Sequence, residues 1–197
     1  MSELRECGIV CPTDWVELAI EPTDNVKRWA RSTAADLRKR CRAAGYDVDA
    51  KVLERDLSAR TEDSRRRDPF YAFALYPDGF ESALATLEID LIHPDAVVPR
   101  ITLDWLAETF SAHDFGPPLI THTEVPIGPA VRIRQNFAAE APSTDGSGVL
   151  LETLTYGVLP TGAESALVFL MSWTVPGIAD EMEDAAAGIV KTLSVTF

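Results

Sequence analysis

Positive charge is scarce in most of this 197-residue chain. Residues 71–197 hold 4 Lys+Arg against 17 Asp+Glu, whereas residues 1–70 hold 14 of each, so the formal net charge of −13 falls wholly on the C-terminal two-thirds. Such a surface repels nucleic acid and anionic lipid at long range, and neither is expected as a partner. No run of about 18 apolar residues occurs, so no membrane span is expected. The opening Met1-Ser2-Glu3-Leu4-Arg5-Glu6 lacks the basic and apolar regions of a secretory signal, which points to a cytoplasmic protein. Cysteine is also sparse. Cys7 and Cys11 form a lone C-x3-C, Cys41 stands apart, and His93, His113 and His122 are scattered. A structural zinc site wants about four ligands at fixed spacing, so no metal is expected and the cysteines read as reduced thiols.

What remains is ordinary globular composition, with 46% hydrophobic, 8% aromatic and 25% charged residues. The length suits one domain spanning residues 1–197. Arginine outnumbers lysine 14 to 4, a bias of high-GC bacterial genomes.

Apolar spacing supplies the elements. A first strand is expected over residues 9–20. Val26, Trp29, Ala30, Thr33, Ala34, Leu37 and Cys41 then form one stripe of a long helix ending at Gly45. Its outer face is basic, carrying Lys27, Arg28, Arg31, Arg38, Lys39 and Arg42. A weaker helix is expected over 49–60, followed by a frayed end or loop from Ser58 to Asp68. Residues 69–76 and 82–92 read as a hairpin around Pro77-Asp78-Gly79. A short helix, capped by Thr102, covers 102–113.

Strands near 119–125, 129–140, 148–159 and 165–175 are joined by loops too short for anything but antiparallel pairing. The last of these is apolar on both faces and should be central. A helix after Pro176-Gly177 and a closing strand over 191–196 complete the order. The class is α+β, with one antiparallel sheet of seven or eight strands and helices on its faces. Trp29, Leu87, Ile89, Phe110, Phe169, Met171, Trp173, Met182 and Ile189 should be buried, and Trp15 and Trp105 also lie on apolar faces.

This order is carried by Pro12-Thr13-Asp14-Trp15 leading to a long helix, then a hairpin, a helix and a meander. It closes with Leu167-Val168-Phe169-Leu170-Met171-Ser172-Trp173-Thr174, a helix and Lys191-Thr192-Leu193-Ser194-Val195. It resembles the PsbP-like fold family, which includes the photosystem P subunit, the yeast Ran-binding Mog protein and bacterial relatives. The resemblance implies an α/β/α sandwich and a binding or adaptor role, with no shared catalytic residues to carry over. The chain departs from the lipoprotein members in lacking a signal and anchor cysteine, and residues 47–68 fit the pattern poorly.

Catalytic signatures are absent. There is no G-x-S-x-G elbow, no G-x-G-x-x-G and no Walker loop. Ser147, within Gly146-Ser147-Gly148, reads as turn chemistry, and His113 as a helix-end residue. His122 reads as an edge-strand residue and His93-Pro94 as a turn. The notable pair is Arg132 and Arg134, which alternate with Val131 and Ile133 and so share one face of a strand. Counting across the 141–148 turn places them beside Tyr156 and Val158, with Ala166 and Val168 one strand further. Arg132, Arg134 and Tyr156 form a candidate anion site. The same arginines could equally pair with Glu88, Asp90 or Glu152.

The basic helix face, Lys27, Arg28, Arg31, Arg38, Lys39 and Arg42, reads either as a solvated surface or as a contact for a protein partner or a second copy of the chain. The functional expectation is a non-catalytic cytoplasmic binding or adaptor protein with no cofactor. The alternative is a small enzyme or ligand carrier with a pocket between the sheet and the 102–113 helix.

Overall fold

The computed structural model describes residues 6–113, 115–139 and 149–196. Ser147, Asp114 beside His113, the 141–148 turn and the first five residues lie outside the described residues. The class is α+β, with four helices packed on a seven-stranded antiparallel sheet and a separate two-stranded sheet. The elements are β1 Glu6–Gly8, β2 Trp15–Glu17, α1 Val26–Ala43, α2 Ala50–Arg67, β3 Tyr71–Leu75, β4 Ala85–Ile92 and α3 Leu103–Thr109. They continue with β5 Leu119–Val125, β6 Gly128–Ala139, β7 Val149–Val158, β8 Ala166–Trp173, α4 Ala179–Val190 and β9 Ser194–Thr196. The large sheet runs β2-β3-β4-β8-β7-β6-β5. The chain divides into two compact units, Pro12–Glu88 and the remainder.

In the Pro12–Glu88 unit, α1 and α2 cover β3. Ala30, Ala34, Leu37 and Cys41 of α1 join Leu53 and Leu57 of α2 over Ala72, Ala74 and Tyr76. The Asn25 side chain accepts from the Arg28 N–H at 3.0 Å and caps α1. The expected loop from Ser58 to Asp68 is instead helix, because α2 continues to Arg67. Polar contacts hold its second half. Asp63 takes Arg66 at 2.8 Å and Arg67 at 2.7 Å, and Arg65 donates to the carbonyl of Ile20 at 3.1 Å. Inside, the Ser64 hydroxyl and both arms of the Arg67 guanidinium meet the buried Glu88 carboxylate. Asp68 stops the helix in the left-handed region at φ 54°.

The first strand is shorter than expected. It covers Trp15–Glu17, which pairs with β3 with Trp15 opposite Leu75, and one further backbone bond runs from the Leu18 N–H to the Ala72 carbonyl. The closing strand is not part of the large sheet either: β9 pairs with β1, Cys7 opposite Val195.

In the other unit, β5, β6, β7 and β8 form the expected meander. α3 lies on one face and α4 packs on β7 and β8. β8 is buried at six of its eight positions. Leu106 of α3 sits against Gly157, where an added Cβ would come within 3.1 Å of it. Of the expected core, Leu87, Ile89, Phe169, Met171, Trp173, Met182 and Ile189 are buried, while Trp29 and Phe110 are half-buried.

Candidate functional site

Alternation along β6 turns Val131 and Ile133 toward α3, where both are fully buried, and turns Arg132 and Arg134 to the opposite face. There the two arginines meet α4. The Glu183 carboxylate bridges them, one oxygen accepting from Arg132 and the other from Arg134. Glu152 of β7 approaches Arg134 from a second side, at 3.4 Å. Arg132 lies directly opposite Tyr156, whose ring meets Phe169 edge-on with centroids 5.8 Å apart. Burial pushes the Tyr156 phenol up, the charge and hydrogen bond of Arg132 pull it down, and Glu183 adds to the rise. Two guanidinia and two carboxylates therefore balance on a half-buried sheet face, closed at Arg132 (17% exposed) and Glu152 (14%) and more open at Glu183 and Arg134.

Three expectations are corrected here. Arg134 lies opposite Leu154, not Val158, and the next strand offers Phe169 and Met171 rather than Ala166 and Val168. Antiparallel strands run oppositely, so stepping forward from Arg132 steps backward from Tyr156. Among the three carboxylates expected as partners, Glu152 does pair with Arg134, whereas Glu88 pairs with Arg67 in the other unit. The principal partner, Glu183, was not expected. Its position one residue after the buried Met182 and three before the buried Ala186 puts it on the flank of the α4 apolar stripe. A carboxylate there can reach back to the sheet, and that spacing is the signal that marks it.

On α1, Lys27, Arg28, Arg31, Lys39 and Arg42 are exposed as expected. Arg31 approaches Glu54 at 3.6 Å and Arg42 approaches Asp47 at 3.8 Å. Among the described residues no carboxylate lies within ion-pair distance of Lys27, Arg28 or Lys39. Arg38 departs from the expectation: it is half-buried and its Nε is enclosed without a partner, so it belongs to the edge of the core.

The space expected to hold a pocket, between α3 and the sheet, is filled. Leu106, Val131, Ile133, Ala166 and Val168 pack there with 3% exposure or less. An open cavity of about 620 Å³ lies in the other unit, where Trp29 and Arg28 face Leu18 and Ala19. Ser165 and His93 are 2.8 Å apart, Oγ to Nδ1. Ser165 is only 5% exposed, so its hydroxyl ties the end of β4 to the start of β8 instead of facing a substrate. His122 is exposed on β5, 3.8 Å from Asp104. Among the described residues no group of His, Cys, Asp and Glu is arranged to hold a metal ion, and no helix is long and apolar enough to cross a membrane.

No family model matches the chain, and no curated protein matches it. Among solved structures it is similar to one described as the crystal structure of LpqN, involved in cell envelope biogenesis of Mycobacterium tuberculosis. That alignment covers 97% of this chain and 83% of the other, at 12% identity and a TM-score of 0.48.

Proposed function

We propose that the chain is a non-catalytic binding protein that presents the exposed face of α1 to an acidic protein surface. The carrying observation is that face: five exposed cations on a helix anchored from behind by Ala30, Ala34, Leu37 and Cys41, three of them with no carboxylate in reach among the described residues. A rigid helix with unspent charge fixes the orientation of a complementary partner and speeds encounter. The PsbP-like order of elements supports an adaptor role.

The test is partner capture and light scattering at low and high salt, on the parent and on an Arg31→Glu, Lys39→Glu, Arg42→Glu variant. These three positions are exposed, so the variant should fold like the parent. The expected result is an association, with another protein or with a second copy, that fades as the Debye length falls from about 10 Å at 0.1 M salt to about 3 Å at 1 M, and that the variant lacks. Capture that is unchanged by salt and by the variant would remove the proposal.

A further inference from the structure

The geometry between β6 and α4 points to a second site: we propose that Arg132 and Arg134 form a receptor for a single carboxylate, and that Glu183 is its resident occupant. Each oxygen of Glu183 accepts from a different guanidinium, which is how two arginines hold a carboxylate ligand. Strand pairing holds the receptor's backbone independently of the occupant. Arg132 stands on the central stretch of β6, paired on one side with β5 and on the other with Tyr156. Glu152 keeps Arg134 in place from β7. The occupant alone comes from outside the sheet, on α4. Glu183 is 27% and Arg134 32% exposed, so an incoming carboxylate has a route to the pair.

Charge selects the ligand. With Glu183 withdrawn, two guanidinia face one remaining carboxylate, Glu152, which leaves a single positive charge to satisfy. A monoanion matches it. A dianionic phosphate would place its second charge against Glu152. A monoanion with two acceptor oxygens, as Glu183 itself presents, fits the pair, so the class is a carboxylate supplied by a small acid. In the parent, Glu183 competes with any such ligand at the high effective concentration of an attached group.

The test removes the occupant. Glu183→Ala should lower the melting temperature, and acetate at about 0.1 M should recover much of the loss, while chloride at the same ionic strength should not. Acetate should bind this variant about tenfold or more tightly than it binds the parent, which keeps its own occupant. Adding Arg134→Gln to the variant should abolish the recovery. Glu183→Ser, which also vacates the site, serves the same purpose if the alanine variant folds poorly. Recovery by chloride equal to that by acetate would show screening alone and overturn the proposal. Recovery that survives Arg134→Gln, equal stabilisation of the parent, or failure of both variants to fold even in acetate would also overturn it. None of these outcomes touches the α1 surface, so the two proposals stand or fall separately.

Discussion

Arg67 and Glu88 make an asymmetric prediction. Glu88 is 5% exposed, and its carboxylate is held by three donors: the Ser64 hydroxyl at 2.6 Å, and Arg67 Nε and Nη2 at 2.8 and 2.7 Å. Arg67 is 45% exposed on its side chain and has a second partner in Asp63. The two ends of the pair are therefore not equivalent. Arg67→Met takes two of three donors from a buried charge that cannot reach water, and should cost about 3 kcal/mol or more. Glu88→Leu removes the buried charge itself. It leaves a guanidinium that keeps Asp63 and water, and a Ser64 hydroxyl without its acceptor, for about 1–2 kcal/mol. The double variant no longer contains the uncompensated carboxylate, so it should be close to Glu88→Leu alone and clearly more stable than Arg67→Met. The coupling should therefore approach the full cost of Arg67→Met, about 3 kcal/mol, in a double-mutant cycle. Urea unfolding followed by tryptophan fluorescence measures all four proteins. Two single variants of equal cost whose effects simply add would refute this account of the C-terminal turn of α2.

Phe169→Ala should cost about 3–5 kcal/mol, because a fully buried ring that also meets Tyr156 edge-on is lost, and urea unfolding measures it. Gly157→Val should destabilise by more than about 1 kcal/mol, since even a Cβ there meets Leu106 at 3.1 Å and Val131 at 3.2 Å; paired with Leu106→Ala, part of that loss should return. Thiol labelling of the folded protein should spare Cys41, which is 1% exposed and directed at Asp78, until denaturant is added. Burial raises the Asp63 pKa, but hydrogen bonds and charge from Arg66 and Arg67 outweigh it, so the net shift is downward. Asp63 therefore contributes stability above the ordinary aspartate range and loses it as pH falls through its lowered value; Asp63→Asn should flatten that part of an acid titration of stability.

The legible and illegible parts of the fold differ in what holds them. α1 can be read from the chain because its inward residues, Ala30, Ala34, Leu37 and Cys41, are apolar and recur at helical spacing. The second half of α2 turns Thr61 and Ser64 inward and relies on Arg65 and Arg67 reaching the Ile20 carbonyl and Glu88, 45 and 21 residues away. Hydrophobic periodicity carries no trace of such contacts. The same division runs through the candidate site. Alternation puts Arg132 and Arg134 on one face, and the turn count brings Tyr156 to Arg132. Glu183 arrives only when α4 packs on the strands through Met182, Ala186, Ile189 and Val190, which is tertiary information. Arg38 was misplaced for a related reason. Its helical angle borders the apolar stripe, and a long side chain there lays its Nε against the core while the residue as a whole stays half-buried.

The placement of the few cations sharpens the charge asymmetry. Residues 71–197 contain only Arg100, Arg132, Arg134 and Lys191 against 17 acids. Half of those cations are committed to Glu183 and Glu152 on a half-buried sheet face, where their field is cancelled at contact range. That removes two cations and two carboxylates from the outward balance, and Glu88, buried against Arg67, is a third carboxylate withdrawn, leaving Arg100 and Lys191 against 14 acids over the rest of this stretch. Its surface is thus more uniformly negative than the ratio of 4 to 17 suggests. The basic face of α1 belongs to a stretch whose charges cancel only in sum, so a partner drawn to α1 by charge must be acidic. An acidic partner that approaches the other stretch meets repulsion.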